Sequence, residues 1–349
     1  MCERVAYLNA GTMGPLPRRA GAAVVEWTER LVEEGRSSRA LFEDLLGLRD
    51  AVREALARLL HAPVESIALT TATTDGCNIV IKGLDIGPGD EVVTTDSEHP
   101  GLFGGLLASG ATLRIAEIRD RPAAEALAAL EEQLTERTRL IGLSHVSWLT
   151  GAVLPVRELA GRGIPVLVDG AQGAGTIPVD VEELGCDFYT VSAQKWLLGP
   201  EATGALYVRP ERVEELRLAF PSYLSWEFPD YVPRKSAGRF DPGWIPAGSL
   251  AGLLESLAFA EELGDERFER ASAATVRCRE LLSGRGADVV TEPGQATLVS
   301  FRAEEPEGLV ARLADRGVIV RDLPGTGLVR ASCGYWTSEE DLERLTAVL

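Results

Sequence analysis

The sequence predicts an α/β protein with two domains, the larger one built on a mostly parallel sheet. At 349 residues the chain exceeds the usual size of one domain, which indicates one large and one smaller unit. Two short apolar runs that contain valine, beginning at Val166 and Phe188, each end in polar residues. Such runs are typical of buried parallel strands, whose carboxyl ends form the ligand site of open α/β sheets.

The first part of the chain alternates helices with strands. Helical patterning begins at Leu16, and a second helix follows the N-cap candidate Ser38 with apolar residues at 3.6-residue spacing up to Leu60. Besides the two runs above, strands are predicted at 67–71, 91–95 and 138–143, with a helical segment at 122–134. We expect residues 15–245 to form the larger domain.

The last part predicts a smaller α+β domain, which we expect to consist of residues 1–14 and 246–349. It should contain a long helix over about 250–282, strands near 289–291, 297–301, 318–321 and 327–331, and helices over 306–316 and 338–349. Before it, residues 220–248 contain seven of the 21 aromatic residues, interleaved with prolines. That composition predicts a wall, interface or lid between domains and subunits, not a regular helix.

Composition excludes several classes of function. The net charge is −18 and no Lys/Arg-rich run is present, which argues against nucleic-acid binding. The chain shows no signal-peptide pattern and no apolar run of the ~18 residues that a membrane span needs, so we expect a cytoplasmic protein without membrane contact. Its five cysteines are scattered without a CxxC pair, which favours reduced thiols over disulfides or a metal site.

Two residues near the ends of the two central strands suggest a specific chemistry. Lys195 is one of only three lysines, and Asp169 closes the first run. Taken alone, each is more often a solvated loop charge or a turn residue. Together they suit pyridoxal phosphate, because a desolvated lysine amine forms a Schiff base and a buried acid keeps the pyridine nitrogen protonated.

The surrounding motifs resemble a known family. Val168-Asp169-Gly170-Ala171-Gln172 and Ser192-Ala193-Gln194-Lys195-Trp196 are similar to motifs of the class V aminotransferases, which include cysteine desulfurases, isopenicillin-epimerase-like proteins and certain carbon–sulfur lyases. The resemblance extends from Tyr7 to Ser332. It implies the aminotransferase fold type I, with a mostly parallel seven-stranded sheet in a large cofactor-binding domain and a smaller α+β C-terminal domain. It also implies a homodimer with active sites near the subunit interface.

A phosphate site is predicted where the strand at 67–71 leads into a helix. Free N–H groups and the dipole at a helix start attract an anion, although an N-cap without a ligand is the alternative on the residues alone. The resemblance assigns Thr73 and Thr74 to the cofactor phosphate and places Ser192 and Gln194 on the same side. Ser249 is similar to a residue that reaches the phosphate of the partner chain.

The resemblance also assigns residues to the cofactor ring. Asp169 would pair with the ring nitrogen, Ala171 would pack beneath the ring, and Gln172 would lie near the phenolic oxygen. His99 would stack over the ring and could act as an acid or base, with a purely structural histidine as the alternative. Gln194 stands where desulfurases often carry histidine, so a proton donor is expected to be missing there.

Three residues are candidates for substrate contact. Arg330 lies on a predicted strand, where a guanidinium can hold a carboxylate by two parallel hydrogen bonds; a surface ion pair is the alternative, and resemblance to the family's substrate arginine favours the first. Asn9 belongs to a loop, 7–14, that the resemblance places at the border of the substrate site, with an ordinary entry loop rich in glycine and proline as the alternative. Trp148 replaces the asparagine usual in desulfurases, so it is a specificity candidate, with core packing as the alternative.

The resemblance implies an enzyme that acts on a small amino acid through an aldimine on Lys195, with Lys195 then removing the α-proton. The loop 321–327 lacks the cysteine that persulfide-forming desulfurases carry in this region, which disfavours that reaction. We expect a lyase or transferase, most simply a carbon–sulfur β-lyase acting on a cysteine-derived substrate. A class V aminotransferase or amino-acid epimerase is the alternative, and a non-catalytic phosphate-ligand-binding or interaction protein of the same fold is the alternative from another class.

Overall fold

The computed structural model describes Cys2 and residues 4–349. The strands, in chain order, are β1 (Ala6–Tyr7), β2 (Ile67–Thr70), β3 (Glu91–Thr95), β4 (Thr112–Ala116), β5 (Thr138–Ser144), β6 (Val166–Asp169), β7 (Phe188–Ser192), β8 (Gly204–Val208), β9 (Trp226–Glu227), β10 (Val232–Pro233), β11 (Leu298–Arg302), β12 (Val318–Ile319), β13 (Arg321–Leu323) and β14 (Leu328–Ser332). The α-helices are α1 (Arg18–Glu33), α2 (Arg39–Leu60), α3 (Thr73–Gly83), α4 (Pro100–Ser109), α5 (Ala126–Glu131), α6 (Val156–Ala160), α7 (Val181–Leu184), α8 (Ala247–Leu263), α9 (Glu266–Gly284), α10 (Pro306–Asp315) and α11 (Glu339–Thr346).

A seven-stranded sheet forms the centre of the molecule, in the order β2-β8-β7-β6-β5-β3-β4. The strands from β7 to β4 pair in parallel, whereas β8 runs antiparallel to both of its neighbours. The predicted fold class, an α/β fold with a mostly parallel seven-stranded sheet, is therefore confirmed. Because β6 and β7 are parallel neighbours, Asp169 and the residues that follow Ser192 lie at the same edge of the sheet.

Helices cover both faces of this sheet, which explains why its central strands, such as β6, are buried along their whole length. On one face Val168 packs in a cluster with side chains of α2 and α8, and on the other Leu167 packs with side chains of α3 and α4. The N-cap prediction for α2 is confirmed, since the Ser38 hydroxyl accepts a hydrogen bond from the N–H of Leu41 at 3.1 Å. Helix α8 also packs against α1.

A second, smaller sheet has the order β11-β14-β13, with antiparallel pairing throughout. Helices α9, α10 and α11 pack around it in a separate hydrophobic cluster. Strand β1 pairs in parallel with β12, so the start of the chain lies beside its C-terminal part. The predicted strand near 289–291 is wrong, because only Val289 makes an isolated bridge, to Phe301.

The prediction of one long helix over 250–282 is also wrong. Two helices, α8 and α9, are separated at Gly264, whose φ of 54° and ψ of −146° lie outside the helical region. Leu253 and Leu257 of α8 belong to the hydrophobic core of the large sheet. Helix α8 therefore contributes to the core of the larger unit, although we expected residues 246–349 to form the smaller domain.

Residues 220–248 form no α-helix before Ala247, in agreement with the sequence. The segment contains two 3₁₀ turns, Tyr223–Ser225 and Ala237–Phe240, and the short hairpin of β9 and β10. Five of its aromatic side chains are exposed large hydrophobic groups: Phe220, Tyr223, Phe228, Tyr231 and Trp244. The segment therefore presents apolar surface on the outside of the described chain.

Asp241 connects this segment to the rest of the molecule. Its carboxylate accepts hydrogen bonds from Arg49 at 2.7 Å and Arg53 at 2.9 Å, both on α2, and from the backbone N–H of Leu69 on β2 at 2.8 Å. The side chains of Asp241 and Arg49 are only 2% and 3% exposed. Asp241 thus joins three elements of the fold through one buried, fully bonded carboxylate.

Among the described residues, no helix combines the length and the apolar character that are needed to cross a lipid bilayer. The cytoplasmic location stays a prediction.

Candidate active site

Lys195 lies in the turn that follows β7, where its backbone N–H donates to the carbonyl oxygen of Ser192 at 3.4 Å. Burial lowers the pKa of its amine to about 8, the charge of Asp169 opposes this effect, and the charges of Arg330 and Arg321 add to it. Within the described chain the amine forms no hydrogen bond or ion pair. Lys195 is therefore an amine that loses its proton more readily than an ordinary lysine and is free to react.

Asp169 is the last residue of β6 and is 2% exposed. One carboxylate oxygen, Oδ1, accepts a hydrogen bond from the backbone N–H of Ala171 at 2.9 Å. No cation among the described residues forms an ion pair with this carboxylate. A buried carboxylate without a counter-ion is costly, so it is suited to a cationic or protonated group of a ligand.

His99 is the N-cap residue of α4, and its Nδ1 accepts a hydrogen bond from the N–H of Gly101 at 3.1 Å. This bond places the ring proton on Nε2. Burial and the positive charge of Lys195 both lower the pKa of His99, which favours the neutral form of the ring. The ring of Trp148 meets it edge to face, with centroids 5.3 Å apart.

The start of α3 has no capping side chain for its backbone N–H groups. Its N-cap residue, Ala72, has no side chain that could cap the helix. The N–H of Thr73 donates to the Ser192 hydroxyl at 3.0 Å, and that hydroxyl lies 3.3 Å from the hydroxyl of Thr73. The hydroxyl of Thr74 lies near Gly101 and hence near His99. The structure therefore brings three of the predicted phosphate residues together at the start of a helix.

Arg330 is on β14 and is 1% exposed. Its Nη1 donates to the backbone carbonyl oxygen of Trp148 at 2.8 Å, and its Nη2 lies 3.5 Å from the hydroxyl of Thr12, which in turn donates to Oδ1 of Asn9. Burial and the charge of Arg321 lower the pKa of Arg330 to about 9. The three predicted substrate residues are thus linked through hydrogen bonds in one place.

Residues 9–14 lie against Lys195 and Arg330, and this close approach requires two glycines. A Cβ at Gly14 would overlap the carbonyl oxygen of Lys195, and a Cβ at Gly11 would lie 2.7 Å from Nη2 of Arg330. The carboxamide of Gln172 donates to the carbonyl oxygen of Gly11 at 2.8 Å and accepts from the indole N–H of Trp196 at 2.7 Å. The structure therefore shows Gln172 holding the N-terminal segment, a contact that the sequence did not predict.

Glu98 is a buried residue of the site that the sequence analysis did not single out. Its carboxylate accepts from the Thr95 hydroxyl at 2.6 Å and from the N–H and hydroxyl of Ser144 at 2.9 and 2.5 Å. Burial raises its pKa to about 7 in spite of these bonds. Because Glu98 directly precedes His99, its hydrogen bonds fix the connection between β3 and α4 in which the histidine lies.

Arg321 was also missed as a site residue. It lies on β13 directly opposite Arg330 on β14, and its Nη1 donates to the hydroxyl of Thr12 at 3.1 Å. Its charge lowers the pKa of both Lys195 and His99, so it faces the same cleft. The only signal in the sequence was the position of Arg321 in the loop before the predicted substrate arginine.

Ser249 does not join this group within one chain. It lies in the first turn of α8 and is partly exposed. No hydrogen bond within the described residues connects it to the side chains named above. Its predicted contact with a partner chain's phosphate stays a prediction.

The site leaves several buried polar atoms without partners, as expected for residues that bind a ligand. Four of them belong to residues around the cleft: Nε1 of Trp148, Oε1 of Gln194, Nε of Arg330 and Oγ of Ser332. Together with the unpaired amine of Lys195 and the carboxylate of Asp169, they provide an amine for an aldehyde, an anion for a ring nitrogen, and donors for acidic groups. These residues fit pyridoxal phosphate bound together with an amino acid.

A sheet edge with this lysine, carboxylate and helix start defines a pyridoxal-phosphate-dependent enzyme. The family comparison agrees: the family model "Aminotransferase class-V" matches residues 7–345, and the chain belongs to this family. The cofactor is therefore pyridoxal phosphate, as predicted, and the non-catalytic alternative is not supported.

Relatives with different reactions are similar to this chain. Isopenicillin N epimerase of Streptomyces clavuligerus is 31% identical, covering 99% of this chain and 94% of the relative. A probable cysteine desulfurase of Halalkalibacterium halodurans is 30% identical, covering 85% and 80%. The family thus establishes the cofactor without deciding the reaction.

The solved structures agree with the fold. The cystine C-S lyase C-DES, in complex with its reaction product cysteine persulfide, has a TM-score of 0.93 and 31% identity and covers 98% of this chain and 96% of its own. A mutant of C-DES with glycine covalently linked to the PLP cofactor has a TM-score of 0.92 and 31% identity and covers 98% of this chain and 95% of its own.

Proposed function

We propose that this enzyme is a carbon–sulfur β-lyase that acts on a cysteine-derived amino acid. The observation that carries the proposal is that residues 4–349 present no exposed thiol at the cleft. All four of their cysteines are buried, and burial raises the pKa of Cys77 and brings that of Cys186 to about 12. A persulfide-forming desulfurase needs a reactive thiolate to accept sulfur, whereas a lyase releases sulfur with the leaving group. The similarity to a cystine C-S lyase supports the same choice.

In this proposal, residues at the carboxyl edge of the large sheet would hold the cofactor. Pyridoxal phosphate supplies, when bound, an aldehyde that bonds to amines and a ring that stabilises negative charge at the adjacent carbon. Asp169 would hold the ring nitrogen with the carboxylate oxygen that no protein group occupies. The residues assigned to the remainder of the cofactor are Thr73, Thr74, Ser192 and Gln194 for the phosphate, Ala171 and His99 for the two ring faces, and Gln172 for the phenolic side.

Side chains of the protein would then bind the charged groups of the substrate and move its protons. Arg330 would hold the α-carboxylate, and the Lys195 amine would take the proton from Cα. The Cβ–S bond then breaks with both electrons going to sulfur, to which Nε2–H of His99 can donate a hydrogen bond. With one water molecule the products are pyruvate, ammonia and a thiol, or a persulfide when the substrate is a disulfide. Asn9 orients Thr12 beside Arg330. Trp148, whose ring lies against His99, would provide an apolar wall next to the reacting groups.

A substrate panel tests the reaction. The purified holoenzyme is incubated with L-cystine, S-methylcysteine and L-alanine, and pyruvate, ammonia and chirality at Cα are measured for each. We expect equal amounts of pyruvate and ammonia from at least one of the two sulfur amino acids and none from alanine, with Lys195→Ala as the inactive control. A keto acid formed without ammonia, and formed catalytically only when a 2-oxo acid is added to accept the amino group, would instead identify an aminotransferase.

Epimerisation is the second candidate, because a relative that covers 99% of this chain is an isopenicillin N epimerase. Both reactions begin with removal of the α-proton, and they differ in whether the proton returns to the opposite face. Inversion at Cα without release of pyruvate in the same panel would therefore replace the lyase proposal.

We also propose a homodimer with active sites near the subunit interface. The exposed aromatic side chains of residues 220–248 support it, because a monomer rarely leaves so many large apolar groups in water. Ser249 follows this segment directly and would reach the partner's phosphate site. Sedimentation equilibrium should give about twice the 37.4 kDa of one chain, and a monomeric mass would contradict the proposal.

A further inference from the structure

Two arginine side chains lie next to each other on the face of the small sheet that borders the cleft. Arg321 of β13 and Arg330 of β14 are direct partners in the antiparallel register, so their side chains project from the same face. Both guanidinium groups approach one hydroxyl, that of Thr12, at 3.1 Å from Arg321 and 3.5 Å from Arg330. The two positive charges are therefore close neighbours at one end of the site.

Among the residues that the structure describes, no carboxylate pairs with either of these two guanidinium groups. The acceptor they share is neutral, and the hydroxyl of Thr12 itself donates to Asn9. Like charges directly opposite each other on two strands are destabilising, and a charge as buried as that of Arg330 is costly without a partner. Such an arrangement is useful to a protein only if an anion completes it.

An α-carboxylate accounts for only one of the two charges. Arg330 is almost fully buried, and its Nε has no partner, so it suits the carboxylate next to the reacting carbon. Arg321 is partly exposed, which places it nearer the mouth of the cleft. An amino acid whose α-carboxylate is held by Arg330 could therefore extend its side chain towards Arg321, the neighbour of Arg330 across the two strands.

We propose that Arg321 binds a second carboxylate, carried by the side chain of the substrate. The substrate class is then an amino acid with one acidic group at Cα and another at the far end of its side chain. This inference rests on the proposed function in assigning Arg330 to the α-carboxylate, and it adds the determinant of side-chain specificity.

The test uses carboxylic acids without an amino group, so that binding is separate from reaction. Calorimetry with the holoenzyme compares glutarate with pentanoate and adipate with hexanoate. We expect each dicarboxylate to bind at least about tenfold more tightly than its monocarboxylate partner, because one charge-assisted hydrogen-bonded pair is gained. In Arg321→Gln that preference should disappear while monocarboxylate affinity stays within about twofold. Arg302→Gln, which removes an exposed arginine of β11, is the control and should behave as the wild type.

Three results would overturn the proposal. The first is a wild type that binds dicarboxylates no more tightly than monocarboxylates, and the second is an Arg321→Gln variant that keeps the preference. The third is an Arg321→Gln variant whose affinity falls equally for both classes of acid, as expected if Arg321 and Arg330 bind the same carboxylate. Thermal unfolding of the variant, measured beside the wild type, shows whether it is folded; if it is not, Arg321→Lys, which keeps the charge and should keep the preference, is compared with Arg321→Met.

Failure of the proposed reaction has a different signature. If no cysteine derivative releases pyruvate but dicarboxylates are still preferred through Arg321, the specificity inference stands and the reaction type is revised. If pyruvate is released, L-cystine should lose at least about tenfold in kcat/KM in Arg321→Gln, whereas the mixed disulfide of cysteine and ethanethiol, which lacks the second carboxylate, should change little.

Discussion

Lys195→Ala is expected to abolish the visible absorption band of the bound cofactor in its covalent form, and to lower turnover by a factor of roughly 10³ or more. The reason is that Lys195 provides the only lysine amine of the site: the other two lysines, Lys82 and Lys235, are exposed. Absorption spectra and the substrate panel, recorded for both proteins, measure the two effects.

Lys235→Ala is the matched control and should keep both the band and the turnover. Lys195→Arg keeps a positive charge but supplies no nucleophilic amine, so it should be as inactive as the alanine variant. Borohydride reduction of the wild type should fix the cofactor on the peptide that contains Lys195. Label found instead on Lys82 or Lys235 would show that the cofactor is attached elsewhere.

The same amine should set a pH dependence. Because burial, opposed by Asp169, lowers the pKa of Lys195 to about 8, more of the reactive neutral amine is present at a given pH than for an ordinary exposed lysine. The rate of covalent cofactor uptake by the apoprotein should therefore rise with pH and level off above about 8. Removing the charge of Arg330 or Arg321 should move the midpoint to higher pH, and a rate in the wild type that keeps rising to about pH 10, as for an unperturbed lysine, would contradict this assignment.

Asp241→Ala is expected to lower the free energy of unfolding by about 3–5 kcal/mol, the cost of removing one partner of a buried ion pair. The substitution leaves the Arg49 cation buried without a carboxylate and the N–H of Leu69 without its acceptor. Since α2, β2 and the aromatic segment meet at this carboxylate, the loss is not compensated by local rearrangement at the surface. Thermal or urea unfolding followed by circular dichroism measures the change.

Glu43→Ala gives the comparison, because it removes an ion pair on the same helix whose partners, Glu43 and Arg39, are 60% and 91% exposed. That pair is expected to contribute about 1 kcal/mol or less. If both variants shift the unfolding transition by the same amount, the buried network of Asp241 does not have the stabilising role assigned to it.

The parts of the fold that could be predicted are those where local pattern and tertiary environment agree. Strand β3 has its predicted bounds, Glu91–Thr95, and α2 begins after the predicted cap. The break at Gly264 was missed because apolar residues continue at helical spacing on both sides of it. Such spacing predicts helical structure but does not show where one helix ends and another begins in a new direction. Strand β1 has only two residues, too few to carry any period.

A site residue could be predicted where its residue type is rare in the chain. It could not be predicted where its role depends on contacts with residues distant in the sequence. Lysine is scarce in this chain, so Lys195 after a strand was informative. Arginine supplies nearly all the positive charge, so Arg321 could not be distinguished until its pairing with Arg330 was known. Gln172 binds Gly11, which lies 161 positions away, and no local pattern contains that contact.

The N-terminal segment has a consequence for the order in which the enzyme is made. Residues 6–12 contact β12, β13 and Ser332, and Thr12 lies 309 positions from Arg321. During synthesis on the ribosome, the large sheet can therefore form before β12 and β13, which the first residues contact, have been translated. Asp169 and Lys195, the residues assigned to the cofactor, would be in place well before Arg321 and Arg330, which are assigned to the substrate. The nascent chain is therefore expected to form its cofactor site early and its substrate site only when translation is nearly complete.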